Sequence, residues 1–145
     1  MTTAYIVGAV RTAGGRRCGR LAGVHPVDLL AKSLDAVVER SGVDPTAIDD
    51  VVTGCVSQAG EQAGNVVRNA LLARGKGWQT GGTTVDTQCG SGQQANHLMR
   101  GLVTAGSVDV GIAASMRSLS EDGSRRVSPA GGTFDDVHGG TVQVG

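Results

Sequence analysis

Residues 83–114 read TTVDTQCGSGQQANHLMRGLVTAGSVDVGIAA, in which two apolar runs flank a helical pattern. Thr83 to Asp86 is a short run rich in β-branched residues, the pattern of a strand. A turn then carries Cys89 between Gln88 and Gly90. Ala95, Leu98, Met99, Leu102 and Val103 follow at i, i+3, i+4, i+7 and i+8, the spacing of an amphipathic helix. Gly106 stops that helix, and Val108 to Ala114 is a second apolar run suited to a buried strand. Strand, turn, helix and strand in this order form a β-α-β unit.

The same alternation extends towards the N-terminus. Tyr5 to Val10 (YIVGAV) reads as a buried strand. Pro26 opens a helix with Val27, Leu30, Ala31, Leu34, Val37 and Val38 on one face, and Gly42 ends it. Asp44-Pro45 places a capping side chain before a proline at the first helical position, so a short helical turn starts there. Asp50 to Val56 (DVVTGCV) reads as another buried strand. The loop SQAGEQAGN leads into a helix over Asn65 to Ala73, with Val66, Val67, Ala70 and Leu71 at helical spacing. The order β-α-β-α-β-α-β predicts a layered α/β domain. From Arg117 onward the pattern fails, and RSLSEDGSRRVSPAGGTFDDVHGGTVQVG reads as a surface loop or frayed tail.

Composition agrees with one domain. The 145 residues carry 13 acidic and 13 basic side chains, so nothing in the net charge draws the chain to nucleic acid or to an anionic membrane. Aromatics make up only 2%, which leaves the core to Val, Leu and Ala. Glycine is the outlier at 24 residues, and that density points to tight turns and close backbone approaches. The apolar run near the N-terminus precedes its basic cluster, the reverse of a secretory signal. No apolar stretch is long enough to span a bilayer. Cys18, Cys55 and Cys89 are odd in number and lack CxxC spacing, which argues against a disulfide framework and a cysteine zinc site. The expected setting is a reducing cytoplasm, with no metal.

Chemistry concentrates at TTVDTQCGSGQQAN. A sulfur at a helix start feels unpaired backbone N–H groups and the positive end of the helix dipole, which favour thiolate. Gly90, Ser91 and Gly92 are small enough to let a substrate approach. The main-chain N–H of Cys89 can face an oxyanion. The other reading of the same spacing is a buried structural cysteine, a common place for a free thiol. Neither GxGxxG nor GxxxxGK[ST] is present, so the case for nucleotide-phosphate binding is weak.

TTVDTQCGSGQQAN, preceded by VVTGCVSQAGEQAGNVVRNALLARG, resembles the N-terminal part of a thiolase, an acetyl-CoA acyltransferase. IVGAVRTAGGRRCGRLAGVHPVDLL is similar to that family's first strand, Arg-Thr loop and first helix, and AGSVDVGIAASM to its strand after the nucleophile helix. The ketoacyl synthases share the fold and a nucleophilic cysteine, but CGSG after Gln88 points to thiolase. The resemblance implies a thiolase-like layered α/β fold, a mixed sheet flanked by helices. Residues 1–116 would supply an incomplete N-terminal domain with the nucleophile, and 117–145 an irregular tail in place of the start of the loop domain. It implies Cys89 as acyl-thioester nucleophile with its backbone N–H at the oxyanion, acetyl-CoA or another acyl-CoA as substrate, no bound cofactor, and homodimers or tetramers. The setting it implies is fatty-acid or acetoacetyl-CoA metabolism. The loop holding Asn65 and Arg68 would lie near the subunit contact and support the nucleophile region.

Several positions depart from the family pattern. Asp86 stands where Asn is usual, and Gln93 and Asn96 where apolar residues follow CGSG. GIAASMRS puts Ile112 for a glycine and Ala114 for an acid, and Ala13 replaces a proline. A thiolase subunit is more than twice as long, and the 145 residues contain neither the GHP histidine that activates the nucleophile nor the second cysteine of a CxG motif. His97 lies eight residues from Cys89, roughly 12 Å at ~1.5 Å per residue. His25 precedes the first helix and His138 lies in the tail, so all three histidines are expected to be solvated or structural. The chain is therefore expected to be an acyltransferase by family but inactive as this fragment alone. The alternative is a truncated non-catalytic remnant or interaction module.

Overall fold

The computed structural model describes residues 3–16, 18–75 and 79–118, together with the backbone of Thr141–Val144. Its elements run β1 (Gly8–Arg11), α1 (Pro26–Ser41), β2 (Asp50–Gly54), α2 (Val66–Ala73), β3 (Gly81–Val85), α3 (Ser91–Thr104), β4 (Gly111–Ser115) and β5 (Thr141–Val144). The strands form one mixed sheet in the order β1-β5-β4-β2-β3. β2 is parallel to both β3 and β4, whereas β5 is antiparallel to its neighbours β4 and β1.

The period-two alternation of the strands sorts the helices onto opposite faces. Val51 and Cys55 along the β2 line, and Ile112 and Ala114 on β4, pack with α1 and α2. Val52 and Ala113 face the other way, against Ala95, Met99 and Val103 of α3. α1 begins and ends where the sequence places it. Pro26 occupies its first turn, the His25 side chain accepts the Val27 N–H, and Gly42 takes the left-handed conformation at φ 68°. Asp44 caps the short 3-10 turn Pro45–Ala47, and the bonds its carboxylate accepts from the Thr46 hydroxyl and, next, the Thr46 N–H hold its carboxyl below the ordinary value.

Two expectations are corrected at the sheet margins. The first strand is Gly8–Arg11 rather than Tyr5–Val10, and Tyr5, Ile6 and Val7 are 70, 66 and 56% exposed. β1 is an edge strand, so an apolar run there is not sandwiched between layers. The stretch from Arg117, expected to be irregular, contains strand β5, which inserts between β1 and β4. Four residues, TVQV, are too few to show a period in the sequence. The family positions that depart at Ile112 and Ala114 are both buried in the α1–α2 core, where apolar side chains fit.

Candidate functional site

Because β2, β3 and β4 are parallel, the segments leaving their carboxyl ends gather at one edge of the sheet, the usual place for a ligand crevice in such folds. Cys55 follows β2, the turn Asp86–Gly90 follows β3, and Met116–Ser118 follows β4. Hydrogen bonds lace the three together. The Cys55 N–H donates to Val85 O at 3.0 Å, and the Met116 N–H to Gly54 O at 2.8 Å. The buried Gln62 amide clamps Ser118 on both sides, Nε2 donating to its carbonyl at 2.8 Å and Oε1 accepting its N–H at 3.0 Å.

Cys89 is exposed on the turn from β3 to α3, so the structural-core reading of this thiol does not hold. It sits one residue before the N-cap, Gly90, and the Ser91 N–H at the helix start is taken up by Gln88 O at 3.0 Å. Gln88 adopts φ 56°, a left-handed conformation that costs an L-residue about 1–2 kcal/mol. The Asp86 carboxylate accepts the Gln88 N–H at 2.8 Å. The Ser91 hydroxyl accepts the Thr87 N–H at 2.9 Å and donates to Gln88 O at 2.6 Å.

Two glycines let α3 start this close to the sheet. A Cβ on Gly54 would stand 2.3 Å from the Ser91 carbonyl carbon and 2.5 Å from Gly92 N. One on Gly92 would meet the Ser115 Cβ at 2.8 Å. Gly92, expected to make room for substrate, makes room for β4 instead. Gly90 meets nothing nearer than 3.5 Å.

Cys55 is the opposite kind of thiol. It is buried, and burial, reinforced by the nearby Asp86 charge, pushes its pKa up to about 11, against a weaker opposing hydrogen bond with the Ser57 backbone. Cys18 is exposed in the loop after β1. His25 is used as the cap of α1. His97 lies exposed on the flank of α3, at the rim of an open cleft with Asp50, Thr83 and Leu98. His138 lies outside the described residues. Asn65 and Arg68 tie α2 to β3. The Asn65 side chain caps the Arg68 N–H at 3.1 Å, donates to Gly82 O at 2.6 Å and accepts from Thr84 Oγ1 at 2.9 Å, while Arg68 Nη1 reaches Thr80 O at 2.9 Å. Asn65→Ala removes a cap and two cross-links, and a loss of about 1–2 kcal/mol is expected in thermal or urea unfolding.

Among the described residues, no group of three or more His, Cys, Asp or Glu is placed to hold a metal ion. No helix among them is long and apolar enough to cross a membrane.

The family model described as "Thiolase, N-terminal domain" matches residues 4–133. The chain belongs to the thiolase family. It is 46% identical over 121 residues to a steroid 3-ketoacyl-CoA thiolase of Mycobacterium tuberculosis, covering 83% of this chain and 30% of that one. Against a β-ketoadipyl-CoA thiolase of Escherichia coli it is 40% identical over the same length, with the same coverage. The crystal structure of an acetyl-CoA acetyltransferase from Bacillus anthracis superposes with a TM-score of 0.74 at 30% identity, over 91% of this chain and 34% of that one. The chain thus has the thiolase fold and spans about 30% of the length of these curated relatives.

The sequence marks Ser91 only as a small neighbour of Cys89 and not by its hydroxyl bonds, and it does not mark Gln62 or Gly54 as parts of this edge. Only Gly54 left a signal, since a glycine inside a strand pattern often marks a close backbone approach. The two polar side chains act through main-chain groups that their spacing does not reveal.

Proposed function

We propose that this chain carries the acyl-accepting half of a thiolase site, with Cys89 as nucleophile. The observation that supports it is an exposed cysteine, in the family's CGSG context, on a strained turn at the carboxyl edge of the parallel strands. The Cys89 thiolate attacks the carbonyl carbon of an acyl-CoA, and the Cys89 N–H faces the oxygen as it gains charge. With a simple acyl-CoA the carbon–sulfur bond to CoA breaks, CoA leaves as its thiol with the proton given up by Cys89, and the acyl group stays on the enzyme sulfur. With a 3-ketoacyl-CoA the thiolate attacks the 3-keto carbon, the C2–C3 bond breaks, acetyl-CoA leaves with that proton on C2, and the shortened acyl group stays on the sulfur. A second thioester or CoA then takes it.

The substrate class we assign is a 3-ketoacyl-CoA thioester, with fatty-acid or acetoacetyl-CoA metabolism as the setting the sequence suggests. The steroid and ketoadipyl groups in the relatives' names widen the acyl group to ring-bearing and carboxylate-ended chains. A cytoplasmic location is part of the proposal and is supported by three free cysteines. So is assembly into homodimers or tetramers, supported by the position of β3 as the last strand of the sheet among the described residues. Residues 1–116 are taken as the nucleophile-bearing part of the N-terminal domain.

The 145 residues hold no GHP histidine and no second CxG cysteine, so on their own they lack two proton carriers. Each such group typically contributes ~10²–10⁴-fold. With acetoacetyl-CoA and CoA, the purified chain is expected to leave the ketoacyl thioester unconsumed. Turnover comparable to a full-length thiolase, abolished by Cys89→Ser, would show that these residues suffice and overturn the view that the fragment alone is inactive.

A further inference from the structure

Two side chains converge on the main chain just before Cys89. Ser91, buried in the first turn of α3, uses one hydroxyl for two bonds, accepting from Thr87 N–H and donating to Gln88 O. Asp86 Oδ1 accepts the Gln88 N–H and lies 3.5 Å from Ser91 Oγ. Three main-chain polar groups of Thr87 and Gln88 are therefore held by two side chains.

The Gln88 carbonyl and the Cys89 N–H belong to one peptide unit. That unit is planar and trans, so the two groups point in opposite directions. Gln88 O is fixed by two donors of Ser91, the hydroxyl at 2.6 Å and the main-chain N–H at 3.0 Å. Fixing the carbonyl fixes the direction of the Cys89 N–H. Hydrogen bonds to the carbonyl also polarise the peptide and strengthen its N–H as a donor. The left-handed Gln88 is what turns this plane, and the Asp86 acceptor holds it there.

We propose that Ser91, assisted by Asp86, is a positioning residue that aims the Cys89 N–H at the oxyanion of acyl transfer. The functional consequence rests on the reading of Cys89 as acyl acceptor. The geometric part does not. A thioester carbonyl develops an oxyanion when the sulfur attacks, whereas iodoacetamide reacts by displacing iodide and develops none at that position. Comparing the two reagents on the same cysteine separates aiming from exposure.

The test measures Cys89 modification by acetyl-CoA and by iodoacetamide, using peptide mass spectrometry, in wild type, Ser91→Ala, Asp86→Ala and Asp86→Asn. Ser91→Ala is expected to slow acetylation ~10-fold or more while alkylation stays within about two-fold. Asp86→Ala should behave likewise, and Asp86→Asn, which keeps the Oδ1 acceptor, should restore acetylation. Equal losses with both reagents, or no loss with either, would overturn the proposal. Amide hydrogen exchange gives a second arm. Exchange at Thr87 should rise ~10-fold in Ser91→Ala with α2 unchanged, and an unchanged Thr87 amide would overturn the clamp itself. If wild-type Cys89 takes no acetyl group, the acyl-acceptor reading fails, and the exchange arm still decides the clamp.

Discussion

Gly54→Ala is expected to cost the fold about 3 kcal/mol, or to prevent folding altogether. The added Cβ would meet the Ser91 carbonyl carbon at 2.3 Å and Gly92 N at 2.5 Å, and both obstacles are backbone. No rotamer change relieves such a contact, so the start of α3 has to lift off β2. That lift loosens the packing of Val52 against Ala95 and Met99 and moves the Cys89 turn with it. Overpacking in a filled core usually costs ~1–3 kcal/mol, and a clash with main chain belongs at the upper end. Gly101→Ala in the same helix is the control. Nothing lies within 4 Å of a Cβ there, so relief of glycine's helix penalty should stabilise by ~0.5–1 kcal/mol. Urea unfolding of the two variants beside the wild type gives both signs. A Gly54→Ala protein as stable as wild type would mean that α3 does not start against β2.

The second large effect is selectivity between thiols. At neutral pH, Cys89 is expected to react with iodoacetamide at least ~100-fold faster than Cys55. Two independent causes act on Cys55. It is enclosed between the sheet and the segment around Gln62, and its pKa is pushed up from 9.0 to about 11 by burial and by the Asp86 charge. The thiolate is the reacting species, and that rise lowers the Cys55 thiolate fraction about 100-fold at neutral pH, a loss that adds to its enclosure. Raising the pH towards 11 should narrow the gap, because Cys55 ionises there, while its enclosure keeps the remaining difference. A timed labelling series read by peptide mass spectrometry tests this, and equal rates at neutral pH would remove the distinction between an edge thiol and a core thiol. Cys18 is exposed as well, so it reports accessibility without the turn.

Much of this architecture is legible in the sequence because its signals are local and periodic. Pro26 and Gly42 bracket α1, Asp44-Pro45 marks the 3-10 turn, and the spacing from Ala95 to Val103 announces α3. What stays hidden depends on the third dimension. YIVGAV is equally apolar at an edge or in the centre of a sheet, and only the strand order shows Tyr5, Ile6 and Val7 to be exposed. TVQV carries β-branched residues but no length, and its place between β1 and β4 is set by partners far away in sequence. Leu98 falls on the apolar stripe of α3 by its spacing yet stands half-exposed, because α3 turns Ala95, Met99 and Val103 to the sheet.

The site divides in the same way. Cys89 and its small neighbours are conspicuous, since a cysteine between a strand end and a glycine-rich helix start brings a thiol, a helix dipole and open space together. The roles of the neighbours are not. Gly92 serves Ser115 and not a ligand, and Ser91 looks like one more small residue although its hydroxyl spans the turn. Asp86 stands out only as a departure from the family's Asn. Its Oδ1 still accepts the Gln88 N–H, as an amide oxygen would, so the turn tolerates the change, while the added charge falls on Cys55.

The most direct measurement is to incubate the purified chain with acetyl-CoA at neutral pH, digest it, and map the acetyl group. Acetylation is expected on the peptide carrying Cys89, with none on Cys55 and no acetylation at that position in Cys89→Ser. An unmodified Cys89, or acetyl found on Cys18 or lysines at an equal or higher level, would contradict Cys89 as the acyl acceptor.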